Sequence, residues 1–174
     1  MDLFDAIQQR YSHKATMDPE IIPTEQELSR MVEAGMAAPS AMNKQSPEFI
    51  IVTERTILER IGAITGNATL ATAPAMIVVV SNPGVGEDFY REDYAAATGN
   101  VLLAATALGW AVGWIDGIFR QARVSGPVSE LLGIPDDRLL SVVIPVGKPA
   151  EQGARRPKKP FEQRASWNRY AVQR

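Results

Sequence analysis

The sequence predicts an α+β layered domain, close to a three-layer α/β/α sandwich. Three observations carry that reading. Helical and strand patterns alternate along the chain, and an unbroken, β-branched apolar run at 74–80 has the character of a buried central strand. Several connections are also too short or irregular for a regular βαβ series. The 174 residues fit one domain spanning 1–174, with no repeats, low-complexity tracts or Gly/Ser linkers.

Asp2 ahead of Leu3, Phe4 and Ile7 predicts an N-cap and the apolar face of a first helix. Thr24-Glu25-Gln26-Glu27 is a capping-box pattern, and Leu28, Met31, Val32 and Met36 follow at helical spacing. Pro39 closes that helix, because its ring cannot continue the hydrogen-bond ladder. Phe49–Val52 reads as a strand, and Ile57, Leu58 and Ile61 as a short helix ending before Gly66-Asn67. Pro74–Val80 is the central strand. Asp93–Leu108, rich in Ala and Leu and apolar nearly all round, predicts a buried helix stopped by Gly109. Trp110–Ile115 reads as a strand with Trp110 and Trp114 on one face. Pro127 at a first helical position and Gly133 past Leu132 bracket a helix of one or two turns. Leu139–Val146 is the last core strand, ahead of a basic tail.

Composition excludes several chemistries. The chain has no cysteine, so there is no disulfide framework, thiolate metal site or cysteine nucleophile. Its single histidine, His13, cannot build a multi-histidine metal site in one chain and weakens any Ser-His-Asp reading. A net charge of −2 and a pI near 5.5 argue against a generic nucleic-acid partner. The opening segment carries Asp2 and Asp5 and lacks the long apolar core of a secretory signal. The apolar runs at 75–80 and 101–107 fall short of a membrane span. The expectation is therefore a soluble, cytoplasmic protein without a membrane partner. Charge is nonetheless uneven: residues 151–174 hold seven cations and two anions. Such a basic strap can be a docking arm, an anion site or a solvated end.

Screening for chemical motifs finds no P-loop, no Gly-x-Gly-x-x-Gly after a strand, no His-Glu-x-x-His and no Gly-x-Ser-x-Gly. Asn82-Pro83-Gly84-Val85-Gly86 reads as a loop. Three clusters remain. Arg10-Tyr11-Ser12-His13-Lys14 gathers a guanidinium, a hydroxyl and an ammonium that could hold a phosphate, or could simply finish a solvated helix end. Ala38-Pro39-Ser40-Ala41-Met42-Asn43-Lys44-Gln45 offers amides that donate and accept at once, suited to a heterocycle edge or to ordinary turn chemistry. In Arg155-Arg156-Pro157-Lys158-Lys159-Pro160-Phe161, two prolines hold the chain extended so that alternate cations point one way.

Taken together, these clusters resemble the FMN-dependent nitroreductase family, over essentially the whole chain. Its Arg-x-Ser-x-Arg/Lys appears as Arg10-Tyr11-Ser12-His13-Lys14, its helix end as Ala38-Pro39-Ser40, and its Asn-x-Gln-Pro as Asn43-Lys44-Gln45-Ser46-Pro47. Ala73–Val79 is similar to the family's central strand and Asn100–Gly109 to its long helix. Gly113-Trp114-Ile115-Asp116-Gly117 matches its Gly-x-x-(Asp/Glu)-Gly strand end, and Ile144–Pro149 with the basic tail completes the order.

The resemblance implies a nitroreductase-like three-layer sandwich with a central mixed sheet and a C-terminal strap (151–174) reaching across a homodimer. It implies FMN as cofactor, NADH or NADPH as electron donor, and a small electron-poor acceptor such as a nitroaromatic or quinone. Arg10, Ser12, Arg156 and Lys158 fall at the phosphate-binding positions, and Tyr11 is counted with them among the cofactor-binding residues. Lys14 falls at the pyrimidine end, where an ammonium stabilises the charge that reduction leaves at N1. Pro39, Ser40, Ala41, Asn43 and Gln45 fall at the flavin and ribityl contacts that the family supplies from the second subunit. Asn67 corresponds to a ring-edge amide, and Ile115, Asp116 and Gly117 to backbone N–H donors at N5 and O4. No side chain is expected to act as a protein base or acid, Asp116 included, since the chemistry is carried by the flavin.

Two departures stand out. Ser46 occupies the place of the family's proline after Gln, and the segment 83–92 is too short for an extra helical lid. Phe89 and Tyr90 either line the mouth or pack the start of the long helix, and Trp114 either packs in the core or borders the flavin. The competing functions are a flavin-binding or flavin-processing protein of the same fold, a reductive dehalogenase, and a cofactor-free interaction domain. Glu87 and Glu92 lack the tyrosine four residues on that the dehalogenase reading needs.

Overall fold

The protein is described by a computed structural model, in which residues 1–170 are described; Arg174, one of the tail cations, lies outside them. The helices are α1 (Leu3–Gln9), α2 (Glu25–Met36), α3 (Arg55–Thr65), α4 (Ala68–Thr72), a single turn α5 (Pro83–Gly86), α6 (Tyr90–Ala107) and α7 (Ala122–Leu131). The strands are β1 (Met17–Asp18), β2 (Pro47–Val52), β3 (Ala75–Ser81), β4 (Ala111–Val112) and β5 (Leu139–Pro149). They form one sheet in the order β1-β5-β3-β2, with β4 also on β5. Every ladder is antiparallel, and the one parallel pairing among the described residues is the isolated Ser12–Val112 bridge. The mixed sheet expected from the resemblance is thus antiparallel in all its named strands.

Period-two alternation divides the core into two faces. From β3, which is buried throughout, Ala75, Ile77 and Val79 pack with Leu28, Met31, Val101, Leu102 and Ala105 of α2 and α6. Met76, Val78 and Val80 pack on the other face with Leu58, Ile61, Leu70 and Val128 of α3, α4 and α7. On β5, Val142, Ile144 and Val146 join the first face and Val143 the second. Leu140 shares the parity of Val142 yet lies with Val143, because the register shifts between Val79 and Val80: Val79 pairs with Val142, and Val80 with Leu140. The extra residue of this bulge, Ser141, is what flips the side chains.

Local signals behave as their chemistry requires. The Asp2 carboxylate accepts from the Asp5 N–H at 2.9 Å. Thr24 and Glu27 complete a reciprocal capping box on α2. Three expectations are corrected. α7 begins at Ala122 with Pro127 inside it, where the missing N–H leaves a carbonyl of an exposed stretch to be satisfied by water. The predicted strand 110–115 shrinks to β4 plus an Ile115–Val143 bridge. α6 starts at Tyr90 and is not buried all round: Asp93, Ala97, Thr98, Val101, Leu102 and Ala105 are buried, while Gly99 and Leu103 are only partly covered. Both tryptophans do face the α2/α6 side, Trp110 buried and Trp114 packed at its edge. No described helix is long and apolar enough to cross a membrane.

Candidate functional site

The segment leaving α1 runs beside β4 and is tied to it: Ser12 bridges Val112, and the His13 N–H donates to the Val112 carbonyl at 2.9 Å. A Cβ at Gly113 would lie 3.0 Å from the His13 carbonyl oxygen, so the backbones approach closely here. His13 is buried, with Nε2 donating to the Thr16 carbonyl at 3.0 Å and Nδ1 taking the Tyr11 hydroxyl at 3.3 Å.

The chain returns to this segment at its other end. Pro149 pairs with Met17, the Ala150 N–H donates to the Thr16 carbonyl, and the Thr16 hydroxyl donates to Glu151 at 3.0 Å. Gly153 passes so close that an added Cβ would lie 2.7 Å from His13 Nδ1 and 2.8 Å from the Tyr11 ring. The Arg155 guanidinium sits 4.9 Å from the centre of that ring, on its face. Tyr11 is therefore engaged with the tail.

These pairings deliver cations from both chain ends to one hollow of about 640 Å³. Arg10, Ser12, Lys158 and Arg164 line it, against Ile7 of α1, Gly99, Leu102 and Leu103 of α6, and Trp114. No carboxylate is among these lining residues. A cationic, hydroxyl-bearing wall over an apolar floor suits a ligand with an anionic end and a flat apolar body. Arg164 was missed by sequence reading because nothing in its local pattern separates it from the other tail cations. Arg156 and Lys14 are exposed and do not line this hollow.

The amide-rich segment builds a different, smaller hollow of about 100 Å³, lined by Pro39, Ser40 and Gln45 with Gly35, Met36, Ala38, Pro47, Phe49, Asp93 and Ala97. The backbone here is unusual: Met42, Asn43 and Gln45 have φ of 51°, 55° and 51°. The buried Asp93 carboxylate accepts from the Ala41 N–H at 2.9 Å and from the Ser46 hydroxyl at 2.6 Å. Ser40 Oγ accepts from the Gln45 N–H at 2.9 Å, and Lys44 pairs with Glu87 at 2.5 Å. Within one chain, then, Arg10, Ser12 and Lys158 lie in one hollow and Pro39, Ser40 and Gln45 in another, on different faces of α6, while Ala41 and Asn43 belong to the loop beside the smaller without lining it.

Other predicted positions fall outside both. Asn67 caps α4, its side-chain oxygen accepting from the Leu70 N–H at 3.1 Å. The Ile115 N–H donates to Val143 within the sheet, which corrects the expectation that it faces a ligand. Asp116 and Gly117 follow where the chain leaves the sheet, with the Asp116 carboxylate paired to Arg120 at 2.9 Å. Phe89 is exposed, and Tyr90 carries Arg91 over its ring.

An antiparallel sheet between helical layers, with a cation-lined hollow where the two chain ends meet, defines an α+β domain with a candidate anion site. The sequence profile of the nitroreductase family matches residues 7–70 and 65–148. The chain belongs to that family. It is 35% identical over 133 residues, 74% of this chain and 76% of its relative, to an Archaeoglobus fulgidus protein provisionally named NADH dehydrogenase/NAD(P)H nitroreductase. A Methanothermobacter thermautotrophicus protein of the same name is 32% identical over 154 residues, covering 87% of this chain and 79% of that one. Among solved structures, one from Parabacteroides distasonis with this provisional name superposes with a TM-score of 0.84 at 28% identity, covering 97% of this chain and 98% of that one.

Proposed function

We propose that the protein is a cytoplasmic, homodimeric, FMN-dependent NAD(P)H oxidoreductase. The observation that carries this reading is the convergence of Arg10 and Ser12 with Lys158, from opposite chain ends, on one hollow without a carboxylate in its wall. That donor set fits a dianionic phosphate ester. The naming of the relatives for NAD(P)H nitroreductase activity supports the donor assignment. When bound, FMN would supply the redox chemistry: acceptance of hydride from NADH or NADPH at N5 and reduction of an electron-poor acceptor, such as a nitroaromatic or quinone, in a ping-pong cycle.

The chain's own residues bind and orient. Arg10 and Lys158 neutralise the phosphate, with Ser12 donating a hydroxyl and the exposed Arg156 adding charge nearby. Lys14 places an ammonium at the pyrimidine end, Asn67 an amide at the ring edge, and Asp116 and Gly117 offer main-chain N–H groups. Pro39, Ser40, Ala41, Asn43 and Gln45 serve the cofactor of the second subunit. Exposed apolar residues favour that pairing: Leu3, Phe4 and Ile7 stand on α1 beside the large hollow, and Met36 and Met42 beside the amide segment.

An absorbance spectrum of the purified protein, followed by anaerobic titration with each nicotinamide, tests the proposal. Flavin bands that bleach on addition of NADH or NADPH are expected. A colourless protein that takes up no added FMN overturns it, and flavin bands that never bleach leave a flavin-binding protein of the same fold.

A further inference from the structure

The segment 40–46 holds three non-glycine residues in left-handed backbone, Met42, Asn43 and Gln45. L-residues disfavour that region, and such a conformation persists only where its surroundings over-determine it. The Ser40 hydroxyl holds the Gln45 N–H, the Asn82 N–H holds the Ser46 carbonyl and Lys44 pairs with Glu87, while one buried side chain reaches both ends of the loop. Asp93, in the first turn of α6, is 2% exposed and forms no ion pair among the described residues. One of its oxygens takes the Ala41 N–H and the other the Ser46 hydroxyl, so a single carboxylate grips both ends of the segment.

Burying a carboxylate without a cation is costly, and it persists where its hydrogen bonds fix something else. Ser46 is itself 2% exposed and tightly enclosed, since a Cβ at Gly86 would lie 2.8 Å from its hydroxyl. It stands where the family pattern has proline, a residue that fixes its own φ and has no hydroxyl.

We propose that the buried Asp93–Ser46 pair is the positioning device of the amide loop, locking Asn43 and Gln45 in the left-handed backbone that presents their amides to the ring of the cofactor. Asp93 and Ser46, each 2% exposed, act through the loop they hold. The inference rests on the FMN reading above and adds a separable consequence: the pair governs binding of the ring, while Arg10 and Lys158 govern binding of the phosphate.

Riboflavin, which has the ring and ribityl chain without the phosphate, separates the two. Ser46→Ala is expected to weaken FMN and riboflavin by the same factor, roughly fivefold, as for loss of one net hydrogen bond. Asp93→Ala should weaken both further, and adding Ser46→Ala to it should change little, because the two act through one clamp. Where Asp93→Ala fails to fold, as judged by its melting curve, Ser46→Ala alone carries the test. A Ser46→Ala protein that binds FMN and riboflavin as tightly as the parent, or loses FMN while keeping riboflavin, overturns the clamp and leaves the FMN reading standing. A parent protein that takes up no flavin overturns both.

Discussion

The two hollows on either side of α6 are built on opposite principles. The larger is made of charge: cations on two extended segments, held in ordinary backbone by a bridge to β4 and by the pairing of the tail with residues 11–18. The smaller is made of backbone: a loop with three left-handed residues, tied internally by the Ser40 hydroxyl and gripped near both ends by one buried carboxylate. Charge tolerates imprecision because Coulomb attraction falls off slowly, whereas a hydrogen-bonding edge tolerates almost none. A phosphate can be caught by flexible cations, but a flat heterocycle needs its amides already in place.

If that contrast is right, the largest effect follows from removing charge. Arg10→Ala and Lys158→Ala should each weaken FMN by more than tenfold, about 1.4 kcal/mol or more, and together by more than a hundredfold if they act independently. Riboflavin affinity should barely move. Raising the salt concentration should mimic the effect in part, since exposed cations are screened within about 10 Å at 0.1 M. Isothermal titration of both ligands at two salt concentrations checks this, and an equal loss for both ligands would erase the distinction between the hollows.

The next effect tests how the cations are delivered. Gly153 leaves no room for a side chain against His13 and Tyr11. Gly153→Val should therefore lift the tail from the N-terminal segment and release Lys158 from the hollow. About a tenfold loss of FMN affinity is expected, approaching that of Lys158→Ala, with faster trypsin cleavage in the tail and an unchanged melting temperature for the core. Retention of full affinity would show that the strap need not be seated.

How much of this was readable from sequence follows the same division. The two helical caps rest on contacts between residues close in the chain and the β3 core strand on an unbroken apolar run, and both were legible. So were the cations, since charge is visible in a sequence without knowing the fold. The restraints on the amide loop were not. Asp93 read only as the start of an apolar helix, because its partners Ala41 and Ser46 lie 52 and 47 residues away. Pro127 misled for the converse reason: a local rule placed it at a helix start, while packing of Val128 against the α3/α4 side of the sheet carries the helix through it. The Trp110–Ile115 strand shortened because β5 has to share its edge among β4, the Ile115 bridge and β1, a constraint no single segment contains.

The smallest effect concerns the tie between the two regions. Glu27 caps α2, whose far end leads into the amide loop, and accepts at 3.0 Å from the indole N–H of Trp110, which leads into β4 and the Ser12 bridge. Lys148 covers the same indole at 4.3 Å. The Thr24 backbone N–H, followed by the Trp110 indole and the Thr24 hydroxyl, holds the Glu27 carboxyl below its ordinary value of 4.5. A carboxyl lowered on folding contributes stability that is fully present above its unfolded value and lost as the pH falls through the folded one. The melting-temperature advantage of the parent over Glu27→Gln should therefore be constant near neutral pH and shrink below about pH 4.5, approaching zero in acid. Gln keeps a hydrogen-bonding oxygen, so the difference at neutral pH should be modest, smaller than the effects of the tail and phosphate variants. An advantage that grew on acidification would mean that Glu27 is held by burial rather than by these donors, and that the two hollows are joined through the core alone.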